Sequence, residues 1–335
     1  MGKHWPYPHV GVAMAAKKRP QKASPQTATT TKAATPATPT KTGNKALAYA
    51  SAIFCVVCGG LTLALRALRL ARSAARSEPL PDRLRQSDAV GRRRRHVPCA
   101  STSSCGARQC DRVVIDDWLP AAEVDALLRI ANAGMAAAGA DASSGGPTIF
   151  DINSGFVMAP GARLENLYQG RRASTPLFDH ADYALYRSVI RRLKGEVEVA
   201  FSRERPLFFT APTFITRLSG MNTSWQPAEA HDVYFQPHVD RDNTAHYEYS
   251  GLLYLSDYGV DFAGGLFSFD DGLEIEPKRG RVSMFGSGPE NEHAVAPVVG
   301  GARFTLSFWF TCDENYRFAD FLDGKAHARF GEGEL

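Results

Sequence analysis

The sequence predicts an α+β fold. A double-stranded β-helix (jelly roll) is backed by helices on its N-terminal side and carried behind an N-terminal transmembrane helix. Three observations predict it. Two amphipathic helical stretches come first, near 120–134 and 182–201. From Pro206 onward the chain turns into short β-branched or aromatic segments, each cut off by Gly, Pro or Asp. A 20-residue run without charge, 46–65, stands apart from both. Helices gathered ahead of many short strands argue for an antiparallel barrel or jelly roll with helical support.

In chain order, residues 1–45 hold a Lys/Thr/Ala/Pro-rich tract at 17–44 with few large apolar side chains, so they are expected to be a disordered arm, cytosolic if the C-terminal part is lumenal. The run 46–65, ALAYASAIFCVVCGGLTLAL, is long enough at about 1.5 Å per residue to cross a hydrocarbon core of about 30 Å. It reads as a transmembrane anchor, against the alternatives of a cleaved signal segment or an organelle transit peptide. Lys32, Lys41 and Lys45 precede it; Arg66, Arg69, Arg72 and Arg76 follow it, so the charge count alone slightly favours a cytosolic C-terminal part. Four cysteines beyond the span and the sequon Asn222-Thr223-Ser224 argue the other way.

Residues 66–104 read as a basic stem or linker, with RRRR at 92–95 as its solvated centre. The folded domain is placed at 105–315, with the jelly-roll core at about 206–312 and a C-terminal tail at 316–335. Arg112–Asp116, RVVID, reads as a strand. Pro120 opens the first helix, whose Val124, Leu127, Leu128 and Ile130 form a stripe. A Gly/Ser/Ala loop covers 138–146. The second helix lines one face with Leu185, Val189, Ile190, Leu193 and Val197. Strands follow near 207–218, 232–240, 250–256, 265–269, 281–286, 293–298 and 302–310.

Net charge is only +4, but 12 of the 39 Lys and Arg lie in the first 77 residues, which contain no Asp or Glu. The rest of the chain is acidic, which argues against nucleic acid as a partner. Cys55 and Cys58 lie inside the apolar run and read as buried in lipid. Cys99, Cys105, Cys110 and Cys312 can make two disulfides in any of three pairings. A Cys110–Cys312 bond would join the two ends of the domain.

The chemistry centres on His238, Asp240, His293 and Arg303. In a strand, side chains at i and i+2 share a side, so the His238-Val239-Asp240 triplet can offer an imidazole and a carboxylate to one metal. A second imidazole from His293 gives a 2-His-1-carboxylate face with open positions, the arrangement that suits reactive Fe(II). On the last strand Arg303, Thr305, Ser307 and Trp309 fall on one side, and Phe304, Leu306, Phe308 and Phe310 on the other. The second set is core. Arg303 among hydroxyls is either an ordinary ion pair or a buried guanidinium that grips a carboxylate through two parallel hydrogen bonds.

These motifs resemble a known family. The pattern His238-Val-Asp240, then Leu253-Tyr254-Leu255-Ser256, Gly264-Gly265, Glu276-Pro277 and Gly280-Arg281-Val282, closing with His293-x-Val295-x-Pro297-Val298-x-x-Gly301-x-Arg303, resembles the prolyl 4-hydroxylase class of 2-oxoglutarate- and Fe(II)-dependent dioxygenases. CGARQCDRVVID, TIFDINSG, AHDVYFQPHVD, SGLLYLSDYGVDFAGG and FGSGPENEHAV are similar to a narrower, membrane-anchored group of that class. The resemblance covers about 105–315. It implies Fe(II) held by His238, Asp240 and His293, 2-oxoglutarate paired through its distal carboxylate with Arg303, and O2 as co-substrate, with ascorbate as supporting reductant. Tyr254 is either a further contact to that carboxylate or a core aromatic, and Ser307 is a weaker candidate for the same contact. His231 and His246 read as lip or surface residues.

The implied activity is hydroxylation of an unactivated C–H bond, on a peptidyl proline or other protein side chain, by a single-pass type II membrane protein with its catalytic part in the ER or Golgi lumen. The competing readings are a catalytically silent, membrane-tethered jelly-roll binding module and the same chemistry on a small molecule. One geometric expectation follows. If Gly300-Gly301 made a two-residue hairpin, Arg303 would pair with Val298 and lie about 16 Å along the strand from His293, too far for a five-carbon diacid to span. Gly300-Gly301 is therefore expected to be a corner between two sheets.

Overall fold

The computed structural model describes residues 78–318, except 89–90, 101–102, 107–108, 141–145, 160–162, 169–176, 212 and 221–233. The expected membrane span, the sequon and His231 lie outside these residues. Among the described residues no helix is long and apolar enough to cross a membrane.

The chain opens with β1 (Glu78–Pro79), β2 (Arg83–Leu84), β3 (Arg92–Arg95) and β4 (Arg112–Ile115), then α1 (Ala121–Ala137). Next come β5 (Gly146–Phe150), β6 (Phe156–Ala159), β7 (Arg163–Asn166) and α2 (His180–Ala200). The second half holds β8 (Phe208–Phe209), β9 (Phe214–Ser219), the one-turn helix α3 (Asp240–Asn243) and β10 (Tyr249–Tyr254). It ends with β11 (Phe262–Gly264), β12 (Phe267–Phe269), β13 (Glu274–Ile275), β14 (Val282–Gly286), β15 (His293–Val295) and β16 (Val298–Thr311).

The strands form a 12-stranded sheet in the order β1-β3-β4-β14-β10-β16-β9-β5-β6-β7, with β8 and β11 also on β16, and a 4-stranded sheet β15-β12-β13-β2. The helices cover the large sheet. Helix α1 starts on Pro120, which needs no amide partner there, and buries Val124, Leu127, Ile130 and Met135. Helix α2 starts with a capping box between Asp179 and Asp182. Its buried face is Val189, Ile190, Leu193 and Val197 as the spacing predicts, extended by Tyr183 and Tyr186, which take the place expected of Leu185. Both faces meet Phe304, Leu306, Phe308 and Phe310 of β16 in one core.

Four sequence expectations are corrected. First, residues 78–98 are not a solvated linker. The RRRR run is strand β3, paired with β4, and its charges are used: Arg94 reaches Asp111 at 2.6 Å, Arg95 reaches Asp82 at 2.8 Å, and Arg92 pairs with Glu196. Leu80 and Leu84 are buried in a cluster with Tyr254, Phe267, Phe269 and Phe285. Arg281, 0 % exposed, pairs with Asp116 and donates to the Arg85 carbonyl. The domain therefore begins by residue 78.

Second, the disulfides are Cys99–Cys110 and Cys105–Cys312. The bond that ties the domain's ends uses Cys105 in place of Cys110. Third, the segment expected as a strand at 232–240 is, over its described part, a turn, one bridging residue at His238 and the start of α3. Fourth, Gly300-Gly301 lies inside the continuous strand β16. It is no hairpin, as expected, but the change of sheet falls earlier, at Ala296-Pro297 between β15 and β16. What changes at Gly300-Gly301 is the partner: Val298–Gly301 pair with β11, while Ala302 onward pairs with β9. Gly301 has φ +70°, and a Cβ there would sit 2.1 Å from the Asp261 carbonyl, so only glycine fits this bend.

Strands β5, β6 and β7, and the short β11 and β13, were not foreseen. Pro147 hides β5, but β6 pairs only from Ile149 onward, so Pro147 sits where a missing N–H costs no ladder bond on that side.

Candidate metal centre and dicarboxylate pocket

His238 and His293 come from distant parts of the chain and are joined by their backbones. Each amide donates to the other's carbonyl at 3.0 Å, an isolated antiparallel bridge that places the two rings 4.4 Å apart. Val239 between His238 and Asp240 is extended, at φ −110° and ψ 124°, and is buried. That one extended residue is enough to turn His238 and Asp240 to the same side. The ligand-type atoms of His238, Asp240 and His293 all lie within 4.8 Å of one another.

Both imidazoles are oriented from behind. His238 Nδ1 lies 3.0 Å from the Gln236 carbonyl and His293 Nδ1 lies 2.9 Å from the Asn291 carbonyl. A carbonyl only accepts, so in the neutral ring Nδ1 carries the proton and Nε2 is left with its lone pair. Asp240 is held likewise: the Trp309 indole N–H donates to Oδ2 at 3.3 Å, while Oδ1 faces His238 Nε2 at 3.8 Å. His293 lies among the rings of Phe267, Phe269 and Phe285, with centroids at 5.2, 6.2 and 4.9 Å. Burial holds its imidazole below the ordinary value, which favours the neutral, metal-ready form.

Asn291 braces this arrangement. Its side chain donates to the carbonyls of Cys110 at 2.8 Å and Gly286 at 2.9 Å, and accepts from Arg112 Nε at 2.7 Å. Arg112 is itself buried, stacks on Phe269 at 3.8 Å and reaches Asp271 at 2.7 Å.

Arg303 lies on β16, opposite Leu218 of β9, and is 3 % exposed. Nη1 donates to Thr305 Oγ1 at 2.8 Å. Nε and Nη2 are buried with no partner among the described residues. Burial pushes the guanidinium down from its ordinary value, with no carboxylate to offset it. The ring of Tyr254 lies 5.5 Å from the guanidinium carbon. Tyr254 is fully buried, its hydroxyl pushed up to about 12 chiefly by burial; it lies beside Ser283, and neither hydroxyl makes a hydrogen bond of good geometry. Gly265, at φ +65°, leaves the room: a Cβ there would lie 3.0 Å from Arg303 Cδ.

The geometry therefore brings His238, Asp240 and His293 together and puts Arg303 in a buried pocket with Tyr254. Ser307 is on the Arg303 side of β16 and buried, but the Arg303 hydrogen bond goes to Thr305. His246 lies half-buried, stacked on Tyr316 at 4.1 Å and away from the triad's bonds. Sequence reasoning placed Thr305 and Trp309 on the correct strand face without giving them roles, and it missed Asn291. The only signal for Asn291 was its position two residues before a candidate ligand.

The residues fit an iron and dicarboxylate pair. Two neutral imidazoles and one carboxylate form an open donor set, and two buried, unpaired N–H groups on one guanidinium ask for an anion. Among the described residues the other His/Cys/carboxylate cluster, Cys99, Cys110 and Glu290, is a disulfide beside a carboxylate.

The family model and the sequence relatives agree with this chemistry. Residues 225–311 match the family model of the 2OG-Fe(II) oxygenase superfamily. The chain is 37 % identical to 2-oxoglutarate and iron-dependent oxygenase domain-containing protein 3 of Xenopus tropicalis, over 70 % of this chain and 75 % of that one. It is 30 % identical to human Prolyl 3-hydroxylase 3, over 64 % of this chain and 30 % of that protein. Among solved structures it is similar to a prolyl hydroxylase from Trichoplax adhaerens in complex with a hypoxia inducible factor oxygen degradation domain peptide, at TM-score 0.42 and 14 % identity, over 62 % of this chain and 85 % of that one.

Proposed function

Because the chain belongs to the 2OG-Fe(II) oxygenase superfamily and is a 2-oxoglutarate-dependent dioxygenase, we propose that it hydroxylates an unactivated C–H bond of a protein or peptide side chain, with peptidyl proline as the favoured target. His238, Asp240 and His293 hold Fe(II), and Arg303 anchors the distal carboxylate of 2-oxoglutarate. The observation that carries this reading is Arg303: a buried guanidinium with two N–H groups that find no partner among the described residues, in a domain whose His238, Asp240 and His293 ligand atoms lie within 4.8 Å of one another. Peptidyl proline is supported by the prolyl hydroxylases among the relatives.

Bound Fe(II), with 2-oxoglutarate and O2, supplies conversion of C–H to C–OH with release of succinate and CO2. The chain supplies position and environment. Gln236 and Asn291 carbonyls keep each imidazole's Nε2 lone pair free. Trp309 fixes Asp240, whose charge offsets part of the metal's. Phe267, Phe269 and Phe285 exclude water behind His293. Thr305 orients the Arg303 fork. Ascorbate serves as the reductant that keeps the iron ferrous.

We place the catalytic part in the ER or Golgi lumen, anchored by residues 46–65. The uncharged run supports the anchor, and two disulfides suit an oxidising compartment. The purified full chain, given Fe(II), 2-oxoglutarate, ascorbate and cell-derived peptides, should release succinate and add one oxygen to a peptide. Equal behaviour of wild type and His238→Ala would overturn the enzyme reading. A glycan at Asn222 removable by glycosidase would support the lumenal placement; its absence from folded protein would leave that placement unsupported.

A further inference from the structure

Tyr234 lies in the turn that leads into the His238 triplet and was given no role above. Its ring packs on the cluster of Leu218, Phe262 and Val298. Leu218 stands directly across from Arg303 in the β9–β16 register. A Cβ built at Gly265 would meet Val298 Cγ2 at 2.9 Å and Arg303 Cδ at 3.0 Å, so Val298 and the stem of Arg303 adjoin at one point. Tyr234 therefore borders the pocket that holds the guanidinium.

The Tyr234 hydroxyl accepts a hydrogen bond from the Val298 amide at 3.1 Å. A phenol accepts and also donates, and the hydroxyl proton of Tyr234 has no acceptor among the described residues. Burial pushes this hydroxyl up, opposed in part by the Val298 amide and then by Arg303, so the proton stays on. A carboxylate has about four lone-pair positions. The Arg303 fork fills two with Nε and Nη2, which leaves room for hydroxyl donors.

We propose that Tyr234 donates a hydrogen bond to the carboxylate gripped by Arg303, as its second anchor, and so makes the pocket select 2-oxo diacids over 2-oxo monoacids. The proposal rests on the iron and 2-oxoglutarate reading above. It also links the two halves of the site: Tyr234 is four residues before His238, and Val298 lies between His293 and Arg303 in the chain.

The test is calorimetric titration of the full chain loaded with Mn(II), wild type against Tyr234→Phe. The probes are 2-oxoglutarate and 2-oxopentanoate, which lacks the distal carboxylate. Losing one hydrogen bond to a charged group should weaken 2-oxoglutarate by about 10- to 100-fold. Binding of 2-oxopentanoate should stay within about 2-fold, which also shows that the variant is folded and metal-loaded. Unchanged 2-oxoglutarate affinity, or equal weakening of both acids, overturns the proposal and leaves Tyr234 as a strut for Val298. Failure of wild type to bind either acid would sink the underlying reading instead.

Discussion

Arg303→Met makes two predictions of opposite sign. Arg303 is a buried cation with one hydrogen bond, to Thr305, and two N–H groups that find no protein partner among the described residues. Each unsatisfied buried donor costs about 1–3 kcal/mol, and a buried charge without its partner adds to that. Methionine is about two atoms shorter but flexible, with no charge and no donors. It gives up the Thr305 bond, worth about 1 kcal/mol, and removes both orphans. The metal-free variant should therefore be more stable than wild type, by about 2 kcal/mol. Binding should change the other way. Removing one partner of a buried charge pair costs about 3–5 kcal/mol, so 2-oxoglutarate should bind at least about 100-fold more weakly. Urea unfolding of metal-free protein reads the first effect, and titration of Mn(II)-loaded protein reads the second. A variant that is less stable and still binds 2-oxoglutarate normally would refute the reasoning, because Arg303 would then be a structural cation.

Other outcomes follow from the fold. Leu84→Ala should cost about 2–5 kcal/mol in urea, because Leu84 is fully buried in the cluster that includes Tyr254 and Phe285; a solvated linker would show no loss. The Cys105–Cys312 disulfide closes 207 residues and Cys99–Cys110 closes 11, so removing them should cost about 5 and about 3 kcal/mol on the chain-entropy account, compared by denaturation of the two Cys-to-Ser pairs. Asp151 is buried and pushed up to about 6, chiefly by desolvation, from an ordinary 3.8. The folded state then binds the proton more tightly than the unfolded chain, so this group's contribution falls as pH rises from about 4 to about 6 and is flat above. The total is about 3 kcal/mol, and Asp151→Asn should remove that slope from a pH series of unfolding midpoints.

Much of the site was legible in the sequence because its chemistry sits on regular spacing. The alternation along 303–310 placed Arg303, Thr305, Ser307 and Trp309 opposite four core residues, and all four core residues are buried. Gly300-Gly301 makes no hairpin, in keeping with the limit that strand rise sets on the reach between His293 and Arg303, although the sheet change itself falls at Ala296-Pro297. The position of that change was not readable, since a Gly-Gly bend and a Pro-bounded crossover look alike without the partner strands. The stem failed for a different reason. Four arginines in a row read as solvated, but Asp111, Glu196 and Asp82 arrive from elsewhere in the chain or fold to neutralise them, and the leucines at 80 and 84 fill a core that local pattern does not reveal. Disulfide pairing was equally hidden. Cys105 and Cys110 are five residues apart, and only the path of β3 and β4 decides which one faces Cys312.

The central claim is that one molecule of 2-oxoglutarate is held at both ends, by a metal on His238, Asp240 and His293 and by Arg303. It is tested most directly by titrating 2-oxoglutarate into the full chain with and without Mn(II), for wild type and for Asp240→Ala. The account predicts tight binding only for metal-loaded wild type, with a loss of at least about 10-fold when either the metal or Asp240 is removed. Affinity that is the same with and without metal would contradict it.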